Sequence, residues 1–233
     1  TAKGSSEMDA MNKLALAFEE NKGQFTNNTG SSIGEVLFKT SLGNGVNVYI
    51  TTQGLSYVFY DNSFIVNKSE EGKGSPMYKT APPVNDEIKW CRMDVLLTAA
   101  AINKLNVTAE QQQQGTINYY LPHCPQGITQ VKTFSKISIK NIYPGVDWML
   151  YRDKGGKLKY DFVIHPGANP GVVKMKYSGA GQIKTNERGN LAVATALGEI
   201  EEGALVSYQN NKQIESNYLI NAENNEVQFR FGD

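Results

Sequence analysis

Two pairs of carboxylates are the candidates for acid–base chemistry. Asp147 and Asp161 lie in the two arms of a strand-rich stretch, and Glu199 and Glu201 lie two residues apart. Two carboxylates held about 5 to 10 Å apart can act as acid and base in glycoside hydrolysis. Asp147 can instead be a strand-end carboxylate that accepts backbone N–H bonds beside the Tyr-Pro-Gly turn. Glu199 and Glu201 can equally be a solvated strand edge that discourages pairing with another chain.

The cysteines and histidines offer few ligands for a metal. The chain has two of each, and the paired spacings of a zinc site are absent, so we expect no metal and no cofactor. Cys91 and Cys124 can form a disulfide in an oxidising compartment or remain two partly buried thiols. His123 precedes Cys124, but neighbours in an extended loop point apart, which disfavours a nucleophilic pair. His165 is expected to face solvent at a strand end.

Aromatic side chains are the remaining candidates for binding. Amphipathic rings of this kind could line a groove for a glycan or a peptide. Filling of a β-sheet core explains most of them equally well. The four aromatic candidates are Trp90, Tyr119, Tyr120 and Trp148.

The strands that would position these residues are clearest around Asp147. Val146–Tyr151 and Leu158–His165 alternate with period two and are joined by an Asp-Lys-Gly-Gly turn, which predicts a β-hairpin. A loop of two or four residues would place Met149 on the same face as Phe162. A three-residue loop with a bulge would place Trp148 there, because a slip of one residue exchanges the faces. The sequence leaves both registers open.

The same alternation recurs along most of the chain, in short runs separated by turns. It predicts an all-β fold of antiparallel, sandwich-like sheets. We expect one β domain over 18–233, and a division into the lobes 18–130 and 131–233 is the alternative. Residues 1–17 form an N-terminal extension, and helical spacing of apolar residues from Glu7 to Glu20 predicts a short helix there. The polar run Glu110–Gln114 is predicted to be a loop.

Composition excludes several classes of function. Lys and Arg number 23, as do Asp and Glu, so nothing suggests nucleic acid or an anionic membrane as a partner. No run of 18 apolar residues predicts a transmembrane segment. No phosphate-binding loop, nucleophile elbow, zinc-protease or dinucleotide motif is present. No signal peptide is visible, and the start at Thr1 suits a processed or trimmed N-terminus.

Several longer motifs resemble one protein family. The chain is similar to the N-terminal domain of unknown function found in secreted and cell-surface Bacteroidota proteins, which carry SBBP-type β-propeller repeats and sorting domains for gliding-associated (type IX) secretion. The resemblance extends from about residue 18 to the end. The motifs are FEENKGQF, VLFKTSL, GLSYVFYD, YPGVDWMLYRDKGGKLKYDFVIHPGANP and LGEIEEGALVSYQ.

The resemblance implies a compartment rather than a reaction. It implies secretion or display on the cell surface, and it supplies no catalytic residues. Asn169 stands where the family pattern usually has Asp, and neither propeller repeats nor a sorting domain is present. We therefore expect an excised domain or a short free-standing member. The expected function is non-enzymatic binding or packing, with a glycan or a cell-surface protein as ligand, and the alternative is a polysaccharide-active enzyme that uses paired carboxylates.

Overall fold

The computed structural model describes residues 17–27, 31, 33–61, 89–153 and 156–232. Within these ranges the regular structure is almost all strand, apart from one short 3-10 helix at Pro170–Val172. The first eleven strands are β1 (Phe18–Glu20), β2 (Val36–Gly43), β3 (Val46–Thr51), β4 (Gly54–Tyr60), β5 (Trp90–Leu97), β6 (Val107–Gln112), β7 (Ile117–Leu121), β8 (Cys124–Val131), β9 (Thr133–Tyr143), β10 (Val146–Arg152) and β11 (Leu158–Ile164). The others are β12 (Lys174–Ser178), β13 (Ile183–Thr185), β14 (Leu191–Thr195), β15 (Gly198–Glu202), β16 (Ser207–Gln209), β17 (Lys212–Ile214), β18 (Ser216–Asn221) and β19 (Glu226–Phe231).

One large antiparallel sheet organises the fold. It has twelve strands in the order β11-β10-β9-β1-β2-β3-β4-β5-β12-β19-β18, with β6 paired to β9 as well. Three smaller sheets consist of β13-β14-β15, β16-β17 and β7-β8. The large sheet crosses residue 130, since β9 pairs with β1 and β12 pairs with β5. The predicted all-β, antiparallel fold is confirmed, whereas the division into two lobes stays a prediction.

The large sheet curls so that its two ends meet. The ring of Phe162 on β11 lies 5.8 Å from that of Phe229 on β19, although these strands are near opposite ends of the sheet order. The Tyr160 hydroxyl on β11 lies 3.6 Å from the Met175 sulfur on β12. Arg152 on β10 donates to the Ser41 carbonyl on β2 over 2.7 Å. The inner face of the curled sheet therefore forms the core.

Alternation along the strands explains which side chains fill this core. In β3 and β4 buried apolar side chains occupy alternate positions. The residues between them are polar or more exposed. Burying such side chains stabilises the fold by about 1.5–3 kcal/mol each relative to the exposed state. The buried set of these two strands is Val48, Ile50, Leu55, Tyr57 and Phe59.

The N-terminal helix predicted from Glu7 to Glu20 is not seen. Residues 7–16 lie outside the described residues, and the described end of that segment is strand β1. Phe18 is completely buried, between β2 and β9. Pairing on both sides and burial of Phe18 override the helical spacing, as tertiary contacts commonly override local propensity.

The loop predicted at Glu110–Gln114 was also wrong over part of its length. Strand β6 extends to Gln112 and pairs with β9. Glu110 lies opposite Lys136 on β9 and accepts hydrogen bonds from Lys136 (3.1 Å) and from the hydroxyl of Ser138. These polar cross-strand partners add to the packing of Val107 and Ala109 against the core, so the strand pairs despite its polar end.

Candidate functional site

The hairpin of β10 and β11 takes the register of the odd-length loop. Trp148 lies opposite Phe162, and Leu150 lies opposite Tyr160. The loop is closed by the Asp153 N–H, which donates to the Lys157 carbonyl over 3.0 Å. Trp148 and Leu150 therefore face the core, and the alternate residues of β10 face outward.

Trp148 is consequently not a surface residue. Only 2% of it is exposed, and its ring stacks on Phe162 with centroids 6.2 Å apart. Tyr160 adds an edge-on contact at 6.5 Å. The hypothesis that Trp148 lines a binding groove was wrong, because the three-residue loop turns this side chain inward.

Asp147 sits at the start of β10, where three donors converge on its carboxylate. Lys140 Nζ lies 2.7 Å from Oδ2, His165 Nε2 lies 3.0 Å from Oδ2, and the Asn141 N–H donates to Oδ1 over 2.9 Å. Asp147 is only 3% exposed. Burial alone would raise its pKa, but these hydrogen bonds and the charge of Lys140 outweigh burial and lower the pKa to about 2. The Asp147 carboxylate is therefore ionised across the physiological range.

The turn beside Asp147 explains part of the local sequence. Gly145 has a φ of +71°, and a Cβ there would lie 2.8 Å from the Cβ of Ala168. Glycine meets both demands, a left-handed backbone and close approach. The Asn169 side chain accepts the Gly171 N–H over 2.9 Å at the start of the 3-10 helix. An aspartate at this position could accept the same hydrogen bond, so Asn169 caps the 3-10 helix as the Asp of the family pattern would.

The other predicted carboxylates do not converge on one cleft. Asp161 lies opposite Met149, on the same outer face as Asp147, but it is exposed and accepts a 3.3 Å bond from the Tyr151 hydroxyl. Glu199 and Glu201 are exposed on β15, and Glu201 accepts a bond from Asn190. A cavity of about 160 Å³ beside Tyr218 is lined by none of these four acids.

Glu202 is the carboxylate that sequence analysis did not single out. It lies two residues after Ile200 on β15 and shares its face, so it faces inward while Glu199 and Glu201 face out. Its carboxylate accepts hydrogen bonds from the hydroxyls of Tyr160 and Tyr177, the latter over 3.1 Å. Burial raises the pKa of Glu202, and the two hydroxyls offset this only in part. An apolar residue two positions earlier was the one sequence signal for the inward orientation.

Four tyrosines lie around Glu202: Tyr57, Tyr160, Tyr177 and Tyr218. We call these four residues together with Glu202 the tyrosine seat. Burial is the larger cause and raises the pKa of each phenol. The negative charge of Glu202 is the second cause and raises each pKa further. All four therefore remain neutral hydroxyls at physiological pH. The Tyr218 hydroxyl donates to the Gly203 carbonyl over 2.8 Å, which fixes the chain just after Glu202.

The remaining aromatic candidates lie in two separate places. Trp90 is 62% exposed and lies directly opposite Tyr60, which is 36% exposed. Tyr120 is 71% exposed on β7, whereas the Tyr119 hydroxyl donates to Glu19 on β1. Strands β2, β3 and β4 separate β1 from β5. Trp90 and the β7 tyrosines are thus not brought together by the sheet.

The cysteines and histidines also stay apart. Cys91 and Cys124 are both free thiols, so no disulfide joins β5 to β8. His123 is exposed in the turn before Cys124. Among the residues described, no group of three or more His, Cys, Asp and Glu side chains could hold a metal ion. No helix in the described ranges has the length and apolar character needed to cross a membrane.

The motif at Phe18–Phe25 forms a hydrogen-bonded hub. Asn21 Nδ2 donates to the carbonyls of Ile33 (3.1 Å) and Val36 (2.7 Å). Gln24 is 5% exposed and donates to Glu19 Oε1 over 2.8 Å. These polar side chains hold β1 in the sheet, so a structural role explains the polar residues of this motif.

Comparison with known protein families gives a match over nearly the whole chain. The match is to a protein-family model and covers residues 18–233, which include every strand described above. No curated protein and no solved structure matches the chain. The chain therefore belongs to the family described as Domain of unknown function (DUF7948).

Proposed function

We propose that this chain is a non-enzymatic binding domain, secreted or displayed on the surface of a bacterial cell, and that its ligand is a glycan. The observation that supports binding is the exposed pair of Tyr60 and Trp90. The family motifs support the compartment, because they resemble domains of secreted Bacteroidota proteins. The sandwich-like packing that the sequence predicts is supported by the contact between Phe162 and Phe229.

The position of the aromatic pair suits a stacking surface. Cross-strand partners have Cβ atoms about 4.5–5.5 Å apart, so two rings can form one continuous platform. Tyr57 and Phe59 face the core, which places Tyr60 on the outer face of the sheet. Two adjacent exposed rings form a contiguous amphipathic patch, which is a feature of binding surfaces, whereas a single exposed ring is not.

The surroundings of the pair favour a sugar over a charged polymer. Arg92 follows Trp90 on the same face and forms a 2.8 Å ion pair with Asp94. This pair supplies hydrogen-bonding groups without a net charge. The whole chain is also neutral, so it offers no field that would attract a polyanion. Flat rings beside balanced polar groups complement a pyranose, which has apolar ring faces and polar edges.

The alternative function is a polysaccharide-active enzyme that uses paired carboxylates. Such an enzyme needs two carboxyl groups on either side of one bond. Asp147 is enclosed by Lys140, Asn141 and His165, whereas Asp161 is exposed. Glu199 and Glu201 lie on a different sheet. The binding function needs none of these groups, and we therefore favour it.

A glycan array probed with the whole chain tests the proposal. We expect binding of at least one glycan, and we expect Trp90→Ala to reduce that binding by about tenfold or more, as loss of a central aromatic anchor does. Tyr208→Ala is the matched control, because Tyr208 is 68% exposed on β16 and should leave binding unchanged. The proposal is overturned if no glycan binds, or if both variants bind like the unmodified chain. Hydrolysis of a bound glycan that Asp147→Asn abolishes would favour the enzyme.

A further inference from the structure

The three-stranded sheet β13-β14-β15 is a separate layer that packs on the large sheet. Its residues Ile183, Leu191 and Val193 belong to the same buried cluster as the large sheet. No backbone ladder joins the two sheets in the described ranges. Side chains therefore hold this layer in place, and Glu202 makes two hydrogen bonds from it to the large sheet.

Glu202 joins strands from the two ends of the curled sheet. Tyr160 is on β11, which ends the sheet on one side, and Tyr177 is on β12, near the other end. One carboxylate accepts both hydroxyls, through Oε2 and Oε1 respectively. Each hydrogen bond to the Glu202 carboxylate thus connects the small sheet to a strand near a different end of the large sheet.

The groups that face Glu202 are phenols from four strands. They are Tyr57 of β4, Tyr160 of β11, Tyr177 of β12 and Tyr218 of β18. Lys159 of β11 is the nearby cation, with Nζ 3.8 Å from where a Cβ of Gly203 would lie, yet its ammonium makes no hydrogen bond to Glu202 in the described part of the chain. Glu201 projects from β15 to the opposite, exposed face. A negative charge on Glu202 would therefore be buried without a paired cation, which is costly.

We propose that Glu202 is a pH-responsive clasp between the small sheet β13-β14-β15 and strands β11 and β12 of the large sheet. The protonated side chain holds the small sheet in place, and the ionised side chain loosens it. Opening exposes the carboxylate to water, which stabilises the ionised form.

The direction of the response follows from the two protonation equilibria. The clasp is fully closed below the ordinary glutamate pKa of 4.5, and burial raises the pKa of the closed state above that value. Between the two values the open fraction rises by about tenfold per pH unit, and above the higher one it reaches a plateau. The small sheet therefore opens as pH rises.

Hydrogen exchange of the whole chain, measured by mass spectrometry from pH 5 to pH 8, tests the clasp. After correction for intrinsic exchange, peptides within 183–202 should show an opening constant that rises with pH. Glu202→Gln carries no charge and should remove the rise. Glu201→Gln makes the same change one residue away, on the exposed face, and should keep it. A flat profile in the unmodified chain, or a rise that persists in Glu202→Gln, overturns the proposal.

A second variant keeps the test decisive if Glu202→Gln does not fold. The Tyr160 hydroxyl favours the ionised carboxylate, so Tyr160→Phe raises the pKa of Glu202 further. We expect the plateau to move to higher pH in this variant. A profile identical to that of the unmodified chain would refute the clasp.

Discussion

Asp147 and Glu202 are two carboxylates beside the same core, and their surroundings act on them in opposite directions. Asp147 receives Lys140, His165 and a backbone N–H, and its pKa falls to about 2. Glu202 receives only phenol hydroxyls, and burial raises its pKa. The difference shows that burial alone does not set the charge of an acid in this fold. Donors that carry a positive charge decide it.

The two acids consequently stabilise the fold in different pH ranges. The contribution of Asp147 is present above its ordinary pKa of 3.8 and is lost as pH falls through about 2. The contribution of Glu202 is present below its ordinary pKa of 4.5 and is lost as pH rises through its raised pKa. The fold therefore loses the contribution of Asp147 as pH falls and the contribution of Glu202 as pH rises.

Removing a ring from the tyrosine seat should lower the free energy of unfolding more than a change at Asp147 or His165. Tyr177 is 1% exposed, so we expect Tyr177→Ala to lower the free energy of unfolding by about 3–5 kcal/mol, as large-to-small core changes do. Tyr177→Phe removes only the hydrogen bond to Glu202 and should cost about 1 kcal/mol. Urea unfolding measures both. Similar losses for Tyr177→Ala and the exposed Tyr208→Ala would place the seat outside the core.

Neutralising Asp147 should have an intermediate and pH-dependent effect. A fall in pKa from 3.8 to about 2 corresponds to about 2 kcal/mol of stability at pH 7, which Asp147→Asn should lose. The difference from the unmodified chain should shrink as pH falls from 4 towards 2, since both then carry a neutral group. Thermal unfolding across this range measures it. Asp161→Asn is the exposed control and should change stability by no more than about 0.5 kcal/mol.

Removing His165 should have the smallest effect. Half of its side chain is exposed, and Lys140 and the Asn141 N–H still bond Asp147 without it. We expect His165→Ala to lower the free energy of unfolding by at most about 1 kcal/mol at pH 7. Urea unfolding at low and high salt is the measurement. A loss as large as that of Asp147→Asn would mean that His165, rather than Lys140, keeps the carboxylate ionised.

The hairpins were the part of the fold most accessible from sequence. Strands β10 and β11 were each predicted to within one residue of their observed bounds, because alternation and turn residues are local signals. The register of β10 and β11 was left open, since it depends on whether the loop has an odd or even number of residues. That single unknown decided whether Trp148 faced solvent or the core.

The site was less accessible because its parts are distant in sequence. Tyr160 and Glu202 are 42 residues apart, and no local pattern indicates that they meet. The curl of the sheet brings them together, and it depends on the whole strand order. Asp147 was found because its turn is local, whereas its partner His165 becomes a neighbour only through the hairpin register.

The central position of β1 has a consequence for the order of folding. Its partners are β2, close in the chain, and β9, whose approach also brings the Lys132 N–H to the Glu20 carboxylate across 112 residues. Pairings between distant segments form slowly, because a long loop must close before they gain any contact. Strand β1 precedes the other described strands in the chain, but it can acquire its second neighbour only after β9 exists. Strand β1 thus completes its pairing late, although it comes early in the described part of the chain.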